Sequence, residues 1–315
     1  MSHESNAAAA AAQATYLETK NPHPRDAFIH FDEGPHKYTI QGINGVTKET
    51  EFTSVTTFVH EQFEHFDAKK VIAAMMRNEK KWNDPIANAK YYGKTPEEIE
   101  EMWNKSGEEA ASKGTEMHYK IECFYNDPAN DTPNSSCRGG EDTSLEFNYF
   151  LNFHNEHIGI PATTLRPYRT EWTVFHEEAR IAGSIDMVYE VTDPNPTAES
   201  SERTGAEPPP PSLVIYDWKR CREIVKINRG NKFAIHPAIE HLPDTNYWHY
   251  TLQLNIYKYI LQTKYNKIVS DLYLVVLHPE AQNYQRIKLP ELQREVSDLF
   301  EERITQFATT TTQSK

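Results

Sequence analysis

The chain of 315 residues is short of cysteine, of glycine and of long apolar runs. Its three cysteines, Cys123, Cys137 and Cys221, are scattered and odd in number, so they suit neither a disulfide framework nor a CxxC zinc pair. A reducing intracellular setting is the expectation. An iron–sulfur cluster on four thiolates of this chain is excluded. No apolar stretch approaches the roughly 20 residues that a membrane-spanning helix needs. The best run, Leu272 to Leu277, is only strand-sized. The opening MSHESNAAAAAAQA has neither the basic start nor the apolar centre of a secretory leader. Membrane and secreted classes are therefore not expected. Basic residues are also in deficit, 33 Lys and Arg against 46 Asp and Glu, a net charge of −13. That balance argues against nonspecific coating of nucleic acid but leaves room for a local basic groove.

What is present is a globular body with polar interruptions: 38% hydrophobic residues, and 19 prolines against 12 glycines. One domain over 25–308 accounts for the ordered pattern. Residues 1–24, Ala-rich and then Pro- and His-rich, read as a disordered arm, and 309–315 as a frayed tail. Polar insertions are expected at about 126–143 and 193–212, the second with four consecutive prolines. Residues 28–53 predict two or three short strands, and 54–65 and 67–80 predict helices. Thr95, Pro96 and Glu98 mark a capped helix start. Gly107 is expected to interrupt that helix before a further one to about Tyr125. A helix fits 143–157, and strands fit 168–176, 180–191 and 213–220. A helix at 246–264, a strand at 270–277 and a closing helix from Pro290 to Phe307 complete one compact α/β unit, helices covering a sheet.

Several polar residues sit where an apolar pattern is expected. In LVIYDWKRC, strand alternation puts Leu213, Ile215, Asp217 and Lys219 on one face and Val214, Tyr216 and Trp218 on the other. A surface ion pair at a strand end explains Asp217 and Lys219 equally well. In RIAGSIDMVYEV, Asp186 stands among strand formers, where a carboxylate is costly to bury unless paired or bound to a cation. Gly183 before it suggests a bulge or a close approach. Gly114, His118 and Glu122 lie at four-residue spacing on one helix face, as do Gln253 and Tyr257 on another. Gly114 leaves room for a neighbour or a phosphate. From Lys219 to Lys232, six cations (Lys219, Arg220, Arg222, Lys226, Arg229 and Lys232) meet one acid, Glu223. This is either a solvated loop or a track for a nucleic-acid backbone, and Tyr247, Trp248, Tyr250 and Phe233 beside it serve as core or as base-stacking surfaces.

Taken in order, GxxxH on a helix, Glu171 on a strand, GSID on the next, DWK on the third and QLNIY on the following helix resemble the PD-(D/E)XK nuclease superfamily. The resemblance is to its RecB-like branch, which includes phage and viral exonucleases and a mitochondrial genome-maintenance exonuclease. FDEGPHKYTIQG and TSVTTFV are similar to that branch's entry segment, so the likeness spans Phe31 to Leu277. One departure is Ile185 where the superfamily pattern has proline. The missing cysteine cluster points to the cluster-free subgroup.

The resemblance implies a restriction-endonuclease-like core, a central mixed β-sheet flanked by helices. It further implies one or two Mg²⁺ or Mn²⁺ ions on His118, Asp186, Asp217 and the carbonyl of Trp218, with Glu171 near a second ion. Lys219 would orient or deprotonate the attacking water, or stabilise the transition-state charge. Thr115, Arg220, Arg222, Lys226, Gln253 and Tyr257 would hold substrate or brace the site. The implied activity is hydrolysis of DNA, most directly from ends or on single strands, in replication, recombination or repair alongside proteins of those processes. An endonuclease on RNA or branched DNA and a catalytically silent nucleic-acid-binding module share the same fold.

Overall fold

A computed structural model describes residues 16–130, 144–158, 160, 164–192 and 211–313, with 309–313 as backbone only. The architecture is mixed α/β, an eight-stranded sheet with helices on both faces. The N-terminal meander comprises β1 (Ile29–Asp32), β2 (Lys37–Ile40) and β3 (Thr50–Ser54), followed by helices α2 (Val55–His60), α3 (Ala68–Met76) and α4 (Glu79–Trp82). A short helix α1 (Tyr16–Lys20) precedes the meander. The long helix α5 (Pro96–Asn126) and α6 (Leu145–His157) lead into β4 (Leu165–His176), β5 (Ile181–Val191) and β6 (Ser212–Lys219). The chain closes with α7 (Asn246–Lys264), β7 (Ile268–Val276), β8 (Gln285–Lys288) and α8 (Gln293–Gln313).

The strands run β1-β2-β3-β5-β6-β7-β8, and β4 pairs with β5 off that path. The β3–β5 and β6–β7 pairs are parallel and the others antiparallel. Alternation in β6 divides its residues between two cores. Leu213 and Ile215 join α2, α7 and α8, whereas Val214, Tyr216 and Trp218 join α5 and α6.

Four sequence expectations change. Residues 16–24 are part of the fold: Leu17 is fully buried and its N–H donates to Asn126 Oδ1 at 2.9 Å. Just beyond, Asp26 takes Arg169 Nη1 at 2.9 Å and Trp172 Nε1 at 3.1 Å. The Ala-rich composition concealed this single apolar anchor. Gly107 does not interrupt α5, which runs 31 residues from its Thr95–Glu98 capping box. A lone exposed glycine costs about 1 kcal/mol, too little to break so long a helix. The strand β8 carries only one strand-forming apolar residue, Ile287, and escaped the pattern. The last helix continues to Gln313, through most of the expected tail. Residues 1–15, 131–143 and 193–210, which include most of both insertions, lie outside the described residues. Among the described residues the chain leaves α5 by a short turn at Pro128–Asn130.

Candidate metal centre at a fork in the sheet

The centre exists because β5 has two different neighbours on one edge. β4 takes its other edge almost throughout. On the first edge, β3 pairs with Ile181 and Ala182, whereas β6 pairs from Met187 to Val191. Between them the segment Gly183–Asp186 has no backbone partner on that side, and β3 and β6 diverge around it. β6 extends past its last pair with β5, Met187 with Tyr216, so Asp217, Trp218 and Lys219 project into the fork. The Trp218 N–H, released from the ladder, donates to Asp186 Oδ2 at 2.9 Å. The buried Trp218 ring, packed on Phe150 and Phe153, fixes that backbone.

Two further elements aim at the fork. α5 brings His118, whose Nε2 lies 2.9 Å from the Trp218 carbonyl oxygen. A carbonyl can only accept, so Nε2 carries the proton and Nδ1 is left facing the carboxylates, 3.6 Å from Asp186 Oδ2 and 3.8 Å from Glu171 Oε1. β4 brings Glu171, which lies across from Asp186 and adopts φ of +41° in mid-strand. A left-handed glutamate in a strand is strained, and such strain gathers at functional positions. The kink turns its carboxylate onto Ser184 Oγ, which donates at 2.8 Å. His118, Glu171 and Asp186 each present a ligand atom within 4.8 Å of the others.

Charge in the fork is out of balance. Asp217 is 2% exposed, and its Oδ2 sits 2.6 Å from Lys219 Nζ without a directional hydrogen bond. Burial, then the neighbouring Asp186, pushes the Asp217 carboxyl up to about 6. Burial raises Asp186 as well, against the pull of His118 and Lys219. Burial would lower His118, but Asp186 and Glu171 outweigh it and push the imidazole up to about 9. Lys219 is likewise opposed by burial and held protonated by Asp217 and Asp186. Glu122, one turn beyond His118, is pushed up to about 7 by burial, Glu171 and Glu33. Asp217, Asp186, Glu171 and Glu122 thus share one imidazole and one ammonium, a shortfall of positive charge that a divalent cation would offset. Hard oxygen donors plus one imidazole suit Mn²⁺ or Mg²⁺, and His118 has the second-sphere bond to a backbone carbonyl that a ligating imidazole uses.

The other expected residues fall in different places. The Trp218 carbonyl is at the site but engaged with His118. Tyr257 is buried in the core against Gly183, where an added Cβ would meet its Oη and Cε1 at 2.9 Å. Gln253 hydrogen-bonds Tyr257. Tyr257 thus braces β5 from the core, with Gln253 bonded to its hydroxyl, and Gly183 serves the close approach its position suggested. Gly114 faces open space, where an added Cβ would meet nothing within 4 Å. Thr115 is exposed, with its hydroxyl bonded back to the Ala111 carbonyl. Arg220 is engaged by Glu146 at 2.7 Å, Arg222 by Glu280 at 2.9 Å, and Lys226 lies over the Tyr247 ring. Much of the basic run is therefore already paired with carboxylates of other elements. Tyr38 and Ser184 were not singled out for the site, and Tyr250 was read only as core or a base-stacking surface. Tyr38 is buried with its phenol pushed up by burial and Glu171, and Tyr250 lies under the Lys219 ammonium at 4.8 Å. Ser184 was visible inside GSID; Tyr38 comes from a hairpin with only a core signal.

Among the described residues no helix is long and apolar enough to cross a membrane. No family model matches the chain, and no curated protein matches it.

Proposed function

We propose that the chain is a divalent-metal-dependent deoxyribonuclease that acts as an exonuclease on single-stranded or end-bearing DNA. The observation that carries this reading is the convergence in one sheet fork of His118, Glu171 and Asp186, with buried Asp217 and Lys219 beside them. The sequence order of these residues, and their resemblance to the RecB-like nuclease pattern, adds the reaction class.

His118, Glu171 and Asp186 would hold the cation, with buried Asp217 beside them adding negative charge to the site. A cation there supplies charge neutralisation for a phosphodiester and its departing oxyanion. The protein's own groups do the rest. The Trp218 carbonyl fixes the imidazole tautomer, and Ser184 fixes Glu171. Lys219, an ammonium steadied by Asp217 and the Tyr250 face, orients a water or donates to a non-bridging phosphoryl oxygen. Gln253 and Tyr257 keep β5 in place without touching substrate.

The test is digestion of end-labelled linear DNA and closed circular DNA with Mn²⁺ or Mg²⁺, beside Asp217→Asn and Lys219→Ala. Shortening of linear DNA, intact circles and two inert but folded variants are expected. Nicked circles would make it an endonuclease, and cleavage that survives both substitutions or EDTA would overturn the metal centre.

A further inference from the structure

A second feature lies outside the fork. A groove of about 530 Å³ opens between α3 and α4, within the roughly 300–1,000 Å³ range of small-ligand sites. Its apolar wall includes Val71, Met75 and Trp82, and its cations are Lys70, Lys81 and Lys232. Lys70 and Lys232 share a single carboxylate, Glu64, at 3.4 and 2.7 Å. The lining itself carries these three ammonium groups and no carboxylate, with Glu64 and Asp244 beside Lys232, a local positive surplus in a chain of net charge −13. The wall is built rather than frayed: Asn88 is buried and its Nδ2 donates to the Trp82 carbonyl at 3.0 Å.

A chain of contacts links the groove to the candidate centre. Lys219 rests on Tyr250 at the start of α7. The adjacent His249 packs on Phe63, with ring centroids 3.9 Å apart. The Ile235 N–H donates to the Gln62 carbonyl at 2.9 Å, which ties the end of the basic run to the α2–α3 connection. Lys232 then reaches Glu64 and lines the groove. An apolar wall with phosphate-compatible cations, tied by these contacts to the proposed metal centre, matches a base and its flanking phosphates.

We propose that the α3–α4 groove holds an unpaired nucleotide of a single strand whose phosphodiester lies in the fork, the base against Trp82 and Met75 and the phosphates near Lys70, Lys81 and Lys232. This assignment rests on the nuclease reading for its substrate. Its test is binding, measured in EDTA so that cleavage plays no part. Anisotropy of a labelled oligothymidylate of about 20 nucleotides is compared for the wild-type chain, Ala74→Trp, Lys81→Glu and Lys105→Glu. Ala74 lines the groove and is exposed, so a tryptophan there fills the space without altering charge or core. Lys105, on α5 away from the groove, makes the same charge change as Lys81.

Ala74→Trp is expected to weaken binding about tenfold, the loss of one stacked base, with an unchanged salt slope. Lys81→Glu should weaken it and reduce the slope of log affinity against log salt by about one. Lys105→Glu should bind as the wild type does. No wild-type binding, wild-type affinity in Ala74→Trp, or equal losses in the two Lys→Glu variants would overturn the groove. So would an acidic amphipathic peptide whose binding Ala74→Trp blocks while oligonucleotide affinity stays intact, which would assign the groove to a protein partner. Groove-dependent binding without any cleavage in Mn²⁺ sinks the nuclease reading alone. Cleavage with groove-independent binding sinks the groove alone.

Discussion

Glu171 is the residue where local strain and proposed chemistry meet. Its φ of +41° suits asparagine far better than glutamate, and its carboxylate adds repulsion to Asp186 and Glu122. The fold therefore has little reason of its own to keep a glutamate there. Glu171→Asn is expected to leave stability within about 1 kcal/mol of the wild type while reducing cleavage at least about a hundredfold. Thermal denaturation and digestion of end-labelled DNA check the two halves. A large loss of stability would make Glu171 a structural residue instead. Gly183 is the opposite case, kept for space. A methyl group there collides with Tyr257 at 2.9 Å and Val55 at 3.0 Å, so Gly183→Ala should cost about 1–3 kcal/mol in urea titration. Tyr257→Leu in the same chain should recover part of that loss, because it removes the ring that is hit.

At the scale of elements, the N-terminal segment acts as a clamp across β4. Arg169 has a 3% exposed side chain and finds Asp26 at 2.9 Å, with Glu18 farther off at 3.5 Å. Asp26→Ala leaves that guanidinium buried with its better partner gone and frees the Trp172 N–H, a loss of about 3 kcal/mol. A lowered urea midpoint with an unchanged m-value is the expected reading; an unchanged midpoint would show that the clamp contributes nothing. None of this was visible in the sequence, since the partners lie more than 140 residues apart. By contrast, β4, β5, β6 and α7 were legible because their apolar alternation or helical spacing is local. The polar exceptions Asp186, Asp217 and Lys219 inside those strands, and His118 on α5, were legible for the same reason. What the sequence did not show were assignments that need distant segments. Glu146 taking Arg220, Glu33 beside Glu122, and Tyr38 behind the fork all depend on how the elements assemble.

For the molecule as a whole, pH presses on the ion-free fold from both sides, at different places. His154 lies on the buried face of α6, where its Nδ1 is 3.2 Å from the Tyr125 hydroxyl, and burial lowers it to about 4. The unfolded imidazole protonates near 6.5, so this contribution is intact above that pH and about 3 kcal/mol is lost as pH falls toward 4. His118 has the reverse sign. Its folded value of about 9 exceeds 6.5, so the stability it adds is full below 6.5 and disappears as pH rises through 9. Above that range the carboxylates of the fork keep only the Lys219 charge. At the proposed metal centre a divalent cation would take the place of the lost proton at Nδ1, so its binding should strengthen as pH rises and should release protons. The expected result is a Mn²⁺-induced rise in melting temperature, relative to EDTA, that grows from about pH 6 to about pH 9. Asp186→Asn should abolish that rise while stabilising the ion-free chain at the alkaline end, because it removes one buried charge. A Mn²⁺ effect that is flat with pH, or that survives Asp186→Asn, would mean that the fork is a buried ion-pair network and not a metal centre. His154→Gln should flatten the acid limb alone, which separates the two halves of the profile in the same assay.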